Sequence, residues 1–431
     1  MISGPKRLID DCFLHDKDRL RHDEALAILK TRLTSLVSKS RIALADASTR
    51  ILAENIHSPD NVPMHNNAAV DGYAYASDDF DSVAGVFLIS ARITAGHIKP
   101  APLIEKTAAR IFTGATMPKG ANIVVMQEDC EILEKDGASI VKIPSGLKPG
   151  ANWRKAGEDL AKGETVLSAG RKLRPQDIAA IASTGKSHIE TYDRLRIGLI
   201  STGNELRRPG SEISLGEVYD SNHFLLNSLL QSSNVEITDY GIIDDDEASI
   251  RTALSNVASK NDVIITTGGA SRGEEDHIIS ALDAIGKRHM WQMAIKPGRP
   301  MAFGQIANAD HDCLFFGLPG NPVAVMVCYL MYVRPALTKL GGGNWQEPVR
   351  YPLPALFDIY NKKPDRREFL RGILSTDENG NLAVSKFQRD GSGLISSLRE
   401  SDGLIEIKEE TRTINRGEIV NFIPFTELGI N

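Results

Sequence analysis

The sequence predicts a multidomain protein of α/β plus β class. A central doubly wound parallel α/β domain is expected between β-rich N-terminal domains and a small C-terminal β domain of barrel-like form. Three observations carry this prediction. The length of 431 residues suggests about three domains at roughly 150 residues each. Apolar runs alternate with helical patterns between residues 193 and 340, and short alternating strand-like runs lie on either side.

The N-terminal region, residues 1–192, is predicted to be β-rich and to consist of two subdomains, with about residues 51–150 inserted. It opens with a helix over residues 23–36, where apolar side chains recur at helical spacing. Short runs such as 86–89, 123–126 and 139–143 then alternate with Gly, Pro, Asn and Asp, which is typical of strands and turns.

The central domain is predicted at residues 193–340. Its apolar runs at 196–200, 262–266 and 313–318 are typical of strands buried on both faces. Helices are predicted at 221–231, 247–258, 274–285 and 322–340. Ligands of such a sheet bind beyond the carboxyl ends of the strands, so we expect the function in those loops. After the glycine-rich linker at 341–344, strand-like segments interrupted by Pro predict the C-terminal domain at residues 345–431.

Composition and charge disfavour nucleic-acid binding, secretion and a membrane span. The mix of 42% apolar and 25% charged residues is that of a folded globular chain, and the net charge of −6 without a polybasic tract disfavours nucleic acid. Charges interrupt the N-terminus where a signal peptide needs an apolar centre. The uncharged run at 313–333 is broken by Pro319-Gly320-Asn321-Pro322, which indicates a strand, a turn and a helix rather than a membrane span. The cysteines Cys12, Cys130, Cys313 and Cys328 form no C-x-x-C pair. We therefore expect a cytoplasmic protein.

Two loops resemble generic catalytic motifs. The pentapeptide 269–273 matches G-x-S-x-G, and a serine hydrolase that uses Ser271 is one interpretation. The preceding double glycine, Gly268-Gly269, favours a loop whose backbone N–H groups face an anion at a helix N-terminus. No complete P-loop and no G-x-G-x-x-G after a buried strand are present.

Basic and acidic loops add to this pattern. Residues 296–300, Lys-Pro-Gly-Arg-Pro, form a rigid basic loop suited to phosphate or oxyanion groups. Carboxylates recur at the predicted strand ends, which suggests Mg²⁺ held by one or two of them. Asp220 and Asp246 each precede a helical run, and we interpret them as helix caps.

Taken together, the loops resemble the molybdopterin molybdenumtransferase family, called MoeA in bacteria and represented in animals by the E domain of gephyrin. The resemblance covers nearly the whole chain. The matching segments, in family order, are NNAAVDGYA, TGATMPKGANIVV, NWRKAGED, GLISTGNEL, DSNHFLL, TTGGASRGEED, IKPGRP, GLPGNPVAV, REFLRG and DGSG.

The resemblance implies an enzyme that inserts molybdenum from molybdate into adenylylated molybdopterin, with release of AMP and a requirement for Mg²⁺. It implies a homodimer whose active site is shared between chains, a molybdopterin-adenylylating protein upstream and molybdoenzyme chaperones downstream. The implied catalytic positions are Asp71, Thr113, Asp159, Glu205, Asp244, Asp276, Lys296, Arg371 and Ser392, of which Glu205, Asp244 and Asp276 are the metal candidates. The implied substrate-binding positions are Gly268, Gly269, Ser271, Gly273, Pro297, Gly298, Arg299, Pro319, Gly320 and Asn321.

One position departs from the family pattern. Gln292 stands where a second lysine is common, so Lys296 and Arg299 must supply more of the positive charge. A non-catalytic pterin-binding or scaffolding protein is the alternative interpretation, and it predicts pterin binding without AMP release.

Overall fold

The structure is a computed structural model. It describes residues 19–430 except 82, 97–98, 136, 232, 269–276 and 308–311. The predicted positions Cys12, Gly269, Ser271, Gly273 and Asp276 therefore lie outside the described residues.

The N-terminal region contains two β-rich units. Its helices and strands are α1 (His22–Arg32), β1 (Lys39–Ala43), β2 (Ile51–Leu52), β3 (Ile56–His57), β4 (Asn67–Ala68), β5 (Gly72–Tyr75), β6 (Val86–Ile93), β7 (Thr107–Ile111), β8 (Ile123–Met126), β9 (Glu131–Lys135), β10 (Ala138–Lys142), β11 (Trp153–Arg154), β12 (Thr165–Leu167), α2 (Pro175–Ser183) and β13 (His188–Tyr192). One unit has the three-stranded sheet β1-β13-β2, the pair β12-β3 and helix α2 around a single apolar cluster. The other has a six-stranded sheet in the order β8-β5-β7-β6-β10-β9. The chain leaves the first unit, forms the second and then returns to the first.

The first helix is shorter than the sequence predicts. It ends at Arg32 rather than at Leu36, because Leu33 has an extended backbone with ψ of 135°. Thr34 and Ser35 follow, and both residue types are poor helix formers. Leu33 nevertheless stays buried in the main core, so the apolar periodicity extends one residue past the helix.

The central α/β domain contains the strands that position the candidate site. Its helices and strands are β14 (Leu195–Thr202), β15 (Leu206–Arg207), β16 (Val218–Tyr219), α3 (Ser221–Gln231), β17 (Val235–Ile243), α4 (Glu247–Ala258), β18 (Val263–Thr267), α5 (His277–Ile285), β19 (Gly286–Gln292), β20 (Ile295–Lys296), β21 (Pro300–Ile306), β22 (Cys313–Leu318), α6 (Pro322–Cys328), a π-helical turn (Tyr329–Val333) and α7 (Arg334–Leu340). The large sheet has the order β17-β14-β18-β22-β21-β19. The four strands from β17 to β22 are parallel, and helices flank them.

Three strands of this sheet were not predicted. β17 adds a parallel edge, while β21 and β19 are antiparallel to the sheet. The loop 293–299 between β19 and β21 has no room for the crossover helix that a parallel pair requires, so the two strands must run antiparallel. The sheet is therefore mixed, with the predicted parallel arrangement in its central part.

The long helix at residues 322–340 is confirmed in extent but not in regularity. It consists of α6, the π turn and α7, and Pro335 lies in the first turn of α7. Proline lacks the N–H that an α-helical ladder needs at that point, which accounts for the local π geometry. The stretch is long and apolar enough to cross a membrane by length and composition, but 78% of it is buried inside the protein. Such burial is typical of a core helix. Cys313 and Cys328 are also buried, and burial raises the pKa of both thiols.

The C-terminal domain is barrel-like, as predicted. It contains β23 (Tyr351–Pro354), β24 (Arg367–Thr376), β25 (Leu382–Lys386), α8 (Ile395–Arg399), β26 (Gly403–Ile407) and β27 (Ile419–Pro424). The antiparallel order β25-β24-β26-β27-β23 is closed by a bridge between Ala355, next to β23, and Val384 of β25. One strand of the α/β domain also joins this sheet, because β20 pairs with β24 in parallel register, Ile295 opposite Arg367 and Lys296 opposite Glu368.

A buried ionic cluster holds α1 against the C-terminal domain. The guanidinium of Arg367 donates to both carboxylate oxygens of Asp23 at 2.9 and 2.8 Å, to Glu409 at 3.0 Å and to Glu406 at 3.0 Å. Arg350 also donates to Glu406, at 2.6 Å. Three segments far apart in sequence are thus held in one place beside the candidate site.

The boundaries of the domains remain our proposal. We place them at residues 1–192, 193–340 and 345–431, because the inserted unit and the barrel each have their own apolar clusters. The main core is shared, since Phe369, Leu404 and Ile423 of the barrel pack with α1 and the long central helix.

Candidate functional site

A basic cavity of about 540 Å³ lies between the α/β domain and the barrel. Its walls come from residues 293–300, the N-terminus of α6, the loop before β24 and the loop before α8. The cations among its lining residues are Arg19, Lys296, Arg299, Lys363, Arg366 and Arg371. Asp390 is the one carboxylate among the described residues that line it. This charge balance suits an anionic ligand.

The lysine of the basic loop is held at the wall of this cavity. Lys296 lies in β20, and its Nζ is 3.5 Å from Oε2 of Glu368, a side chain that is 7% exposed. Gly298 has φ of +101°, and a Cβ there would lie 2.5 Å from Sγ of Cys328. The turn that follows Lys296 therefore requires glycine for two reasons, its backbone conformation and its contact with α6.

Arg371 is a buried cation that forms hydrogen bonds only to neutral groups of the described residues. It is 6% exposed, and its guanidinium donates to Oγ of Ser397 at 3.1 Å and to the carbonyl oxygens of Arg389 and Gly391, both at 3.2 Å. In the part of the chain that the structure describes, no carboxylate forms an ion pair with it. Burial lowers its pKa, and the charge of Asp390 only partly opposes this effect. A buried charge is costly unless it is paired, so an anion in the cavity would compensate Arg371.

Two further predicted residues complete the inner wall. Ser392 accepts a hydrogen bond from the N–H of Val323 through its carbonyl oxygen, at 3.0 Å, and so fixes the loop before α8 against the start of α6. Asn321 is the N-terminal cap of α6, with Pro322 at the first helical position. Pro319, Pro297, Gly298 and Arg299 line the same cavity.

A second cleft, of about 360 Å³, opens at the carboxyl ends of β14, β18 and β22. Gly268, Gly320, Asn321 and Glu205 line it. Gly268 has φ of +91°, and a Cβ there would lie 2.2 Å from the carbonyl oxygen of Thr202, so only glycine permits the two strand ends to approach so closely. Asn321 lines both spaces, which places the cleft and the basic cavity side by side.

The predicted metal residues are only partly brought together. Glu205 lines the cleft, whereas Asp244 follows β17 and lines neither space. The two loops are nevertheless linked, because the N–H of Asp245 donates to Oδ1 of Asn204 at 3.1 Å. Among the described residues no group of three or more His, Cys, Asp or Glu side chains could hold a metal ion. Glu205 alone fits a Mg²⁺ that keeps several ligands from water and substrate, since Mg²⁺ is often held by one or two carboxylates.

The two aspartates interpreted as caps have that role. Asp246 accepts from the N–H of Ser249 at 2.9 Å. Asp220, which is 2% exposed, accepts from the N–H of His223 at 3.1 Å and from Arg208 at 3.1 Å. Both are engaged within the fold.

The predicted residues of the first half lie elsewhere in the chain. Oδ1 of Asp71 accepts from both the N–H and the Oγ1 of Thr113, each at 2.7 Å, and these bonds lower the pKa of Asp71. Asp159 is exposed in the loop between β11 and β12 of the N-terminal region. None of the three lines the basic cavity or the cleft in this chain.

The sequence did not indicate three of the cations that line the cavity. Arg19, Lys363 and Arg366 belong to charged segments that look like any solvated loop, and only the folded chain places them beside Lys296. Arg366 directly precedes the family-like segment at 367–372, and this position was the only indication in the sequence that it could lie near the site.

The fold and the two neighbouring cavities define a multidomain protein whose central α/β domain has a basic cavity beside a cleft at its strand ends. Three family models match it in order: the MoeA N-terminal region (domain I and II) at residues 20–185, a probable molybdopterin binding domain at 198–339, and the MoeA C-terminal region (domain IV) at 355–425. The chain belongs to the molybdopterin molybdenumtransferase family.

Several relatives support this assignment. The chain is 35% identical to a molybdopterin molybdenumtransferase of Haemophilus influenzae over 407 residues, which cover 94% of this chain and 98% of the relative. It is 30% identical to gephyrin of Dictyostelium discoideum over 447 residues, covering 93% of this chain and 61% of gephyrin. Among solved structures, a molybdopterin biosynthesis MoeA protein of Pyrococcus horikoshii matches with a TM-score of 0.78 at 28% identity, covering 94% of this chain and all of that one.

Proposed function

We propose that this protein is a molybdopterin molybdenumtransferase that acts late in molybdenum cofactor biosynthesis. It would insert molybdenum from molybdate into adenylylated molybdopterin and release AMP. The observation that carries the proposal is Arg371, a buried cation with neutral protein partners, in a cavity next to the strand-end cleft. Relatives named for this activity, which cover 94% and 74% of this chain, support it.

The two spaces divide the substrates between them. Lys296, Arg299, Arg371 and Ser392 would hold molybdate in the basic cavity, and the glycine loops with Asn321 would hold the pterin nucleotide in the cleft. Molybdate and a pyrophosphate repel each other in water, so positioning both in adjoining sites removes much of the barrier to their encounter. Fixed cations that face the growing negative charge stabilise it further.

Mg²⁺ belongs to this proposal. When bound, it would neutralise the pyrophosphate and the leaving AMP. Glu205 is the residue of the described chain best placed to hold it, with Asp244 on the adjoining loop and Asp276 as further candidates. The carboxylate of Glu205 would also orient the nucleotide at the strand ends.

We also propose a homodimer with a shared active site. Asp71, Thr113 and Asp159 belong to the family-like motifs, yet they line neither cavity of their own chain. In a dimer, the Asp71–Thr113 end of one copy would complete the cleft of the other. A cytoplasmic location, supply by a molybdopterin-adenylylating protein and delivery to molybdoenzyme chaperones complete the proposal.

The test of the activity is AMP release from adenylylated molybdopterin with molybdate and Mg²⁺. We expect release from the unaltered protein and from Lys408→Ala, which removes an exposed cation of the barrel that lines neither the basic cavity nor the cleft. Arg371→Met and Lys296→Ala should lose it. Pterin binding without AMP release by the unaltered protein would show a scaffold, and equal release by all four proteins would show that the site is wrong.

The shared site is tested by mixing two inactive variants. Asp71→Asn and Lys296→Ala would each disable every site of their own homodimers. A mixed dimer would contain one site free of both substitutions, so co-refolding should restore part of the activity. Activity that stays at the background level in a mixture shown by mass spectrometry to contain mixed dimers would contradict the shared site.

A further inference from the structure

The basic cavity has a buried end and an open end. Arg371 lies at the buried end, whereas Lys363 and Arg19 are exposed and the side chain of Arg366 is 27% exposed. Lys363, Arg366 and Arg19 form the mouth of the cavity, and the proposed reaction has given them no role.

A buried lysine fixes the loop that carries two of these cations. Lys362 is 4% exposed, and its ammonium donates to the carbonyl oxygens of Arg366 at 2.7 Å and of Lys363 and Glu409 at 3.3 Å. An ammonium has three donors, and all three are used here. The backbone at positions 363 and 366 is therefore held in place, and both residues line the cavity.

A single carboxylate connects the mouth with the buried end. Oε1 of Glu368 accepts from Arg366 at 2.9 Å, and its Oε2 lies 3.5 Å from Nζ of Lys296. By contrast, the side-chain cations of Lys363 and Arg19 have no hydrogen-bond or ion-pair partner among the residues that the structure describes. These two charges are available to a ligand.

One small oxyanion neither fills the volume of this cavity nor compensates all of its positive charge. Lys363, Arg19 and Arg371 line it without an ion-pair partner among the described residues, and a tetrahedral dianion compensates only two of these three charges. Such an ion occupies roughly three water volumes, about 90 Å³. The cavity measures about 540 Å³, so there is space and charge for a second anionic group.

We propose that Lys363, Arg366 and Arg19 form a second anion subsite, which takes the phosphate group of an organic phosphate ester. The mouth is open, so a phosphate attached to a larger molecule can enter it, while the enclosed end beside Arg371 suits a compact free oxyanion. The inference rests on the proposed function only in assigning molybdate to the buried end. The phosphate subsite itself stands on the cations at the mouth.

The test is equilibrium binding of glycerol 3-phosphate to the full chain, with glycerol as the control without phosphate. We expect glycerol 3-phosphate, but not glycerol, to bind in the presence of saturating molybdate. Lys363→Ala should weaken this binding about tenfold, as loss of a charge-assisted contact does. Lys363→Arg and the matched surface variant Lys408→Ala should stay within about twofold.

The outcomes separate the subsite from the proposed reaction. If Lys363→Ala binds glycerol 3-phosphate as tightly as Lys408→Ala, or only associates more slowly at low salt, the subsite is refuted and the mouth merely attracts anions. Displacement of glycerol 3-phosphate by molybdate in a one-to-one manner also refutes it, since a single site then takes both ions. Failure of molybdate to bind, with glycerol 3-phosphate still bound through Lys363, would overturn the assignment of molybdate and keep the phosphate subsite.

Discussion

Replacement of Arg367 by methionine tests whether the ionic cluster is required for the docking of α1 and the barrel. Methionine keeps much of the length of the side chain but removes every donor. Glu406 and Glu409, whose side chains are 1% and 6% exposed, would each lose a partner at 3.0 Å. Glu406 would retain Arg350, while the bond to Glu409 would be lost outright.

The expected loss in free energy of unfolding depends on how deeply the carboxylate partners of Arg367 are buried. Breaking a buried ion pair on one side costs about 3 to 5 kcal/mol, because a charge remains without compensation. The ion pair between Arg367 and Asp23 should contribute less to stability, because the side chain of Asp23 is 74% exposed. Exposed pairs contribute up to about 1 kcal/mol. We therefore expect Arg367→Met to reduce the free energy of unfolding several times more than Asp23→Asn does, although both changes remove the same pair.

The assay is thermal and urea unfolding followed by circular dichroism, with Lys408→Ala as the control for loss of a barrel cation. At about 2 to 4 °C per kcal/mol for a large domain, Arg367→Met should lower the melting temperature by roughly 6 to 20 °C. Asp23→Asn should lower it by a few degrees at most. Equal shifts for the two variants, or no shift for Arg367→Met, would refute the argument from burial.

Three other predictions concern single side chains. His22 is fully buried, with Nδ1 2.7 Å from the hydroxyl of Tyr332, and burial lowers its pKa from 6.5 to about 4. The free energy of unfolding should therefore decrease by up to about 3 kcal/mol as the pH falls from 6.5 toward 4. Urea midpoints measured over this pH range should decrease less in His22→Gln. Gly298→Ala should lower the urea midpoint and weaken molybdate binding, because the added Cβ would lie 2.5 Å from Sγ of Cys328. Gly320→Ala, where a Cβ meets nothing within 4 Å, should leave the urea midpoint unchanged. Similar midpoints for the two variants would contradict the contact with Cys328. Thr113→Val removes the hydroxyl donor to Asp71 and should raise the pKa of that carboxylate, as read from its carbon chemical shift against pH, while Thr113→Ser should keep it low.

Local sequence pattern predicted the regular elements well where one face of a helix is apolar. The helices at 221–231 and 247–258 have the predicted limits, because their apolar spacing and the Asp220 and Asp246 caps are local features. The strands β17, β19 and β21 were missed, since their place in the sheet depends on partners far away in sequence. For the same reason, no local sequence pattern predicted that Arg366 and Lys363 would line the same cavity as Lys296.

The candidate site was predictable to a different degree. Family-like motifs named Lys296, Arg371 and Ser392, and the structure places all three around one cavity although their catalytic roles remain proposals. The motif that contains Asp276 lies outside the described residues. Charge alone would not have identified Arg371. Its significance is that it is buried and hydrogen-bonded to neutral groups in the described part of the chain, and this is visible only after folding.

The two-residue pairing between β20 and β24 has a consequence for chimeric proteins. It couples the backbone that carries Lys296 to the barrel, with Lys296 directly opposite Glu368. A barrel grafted from a distant relative could fold normally and still displace this lysine if its strand entered one residue out of register, because every side chain would then change face. Exchange of this domain should therefore succeed only when the 367–368 step is transplanted in alignment with residues 295–296.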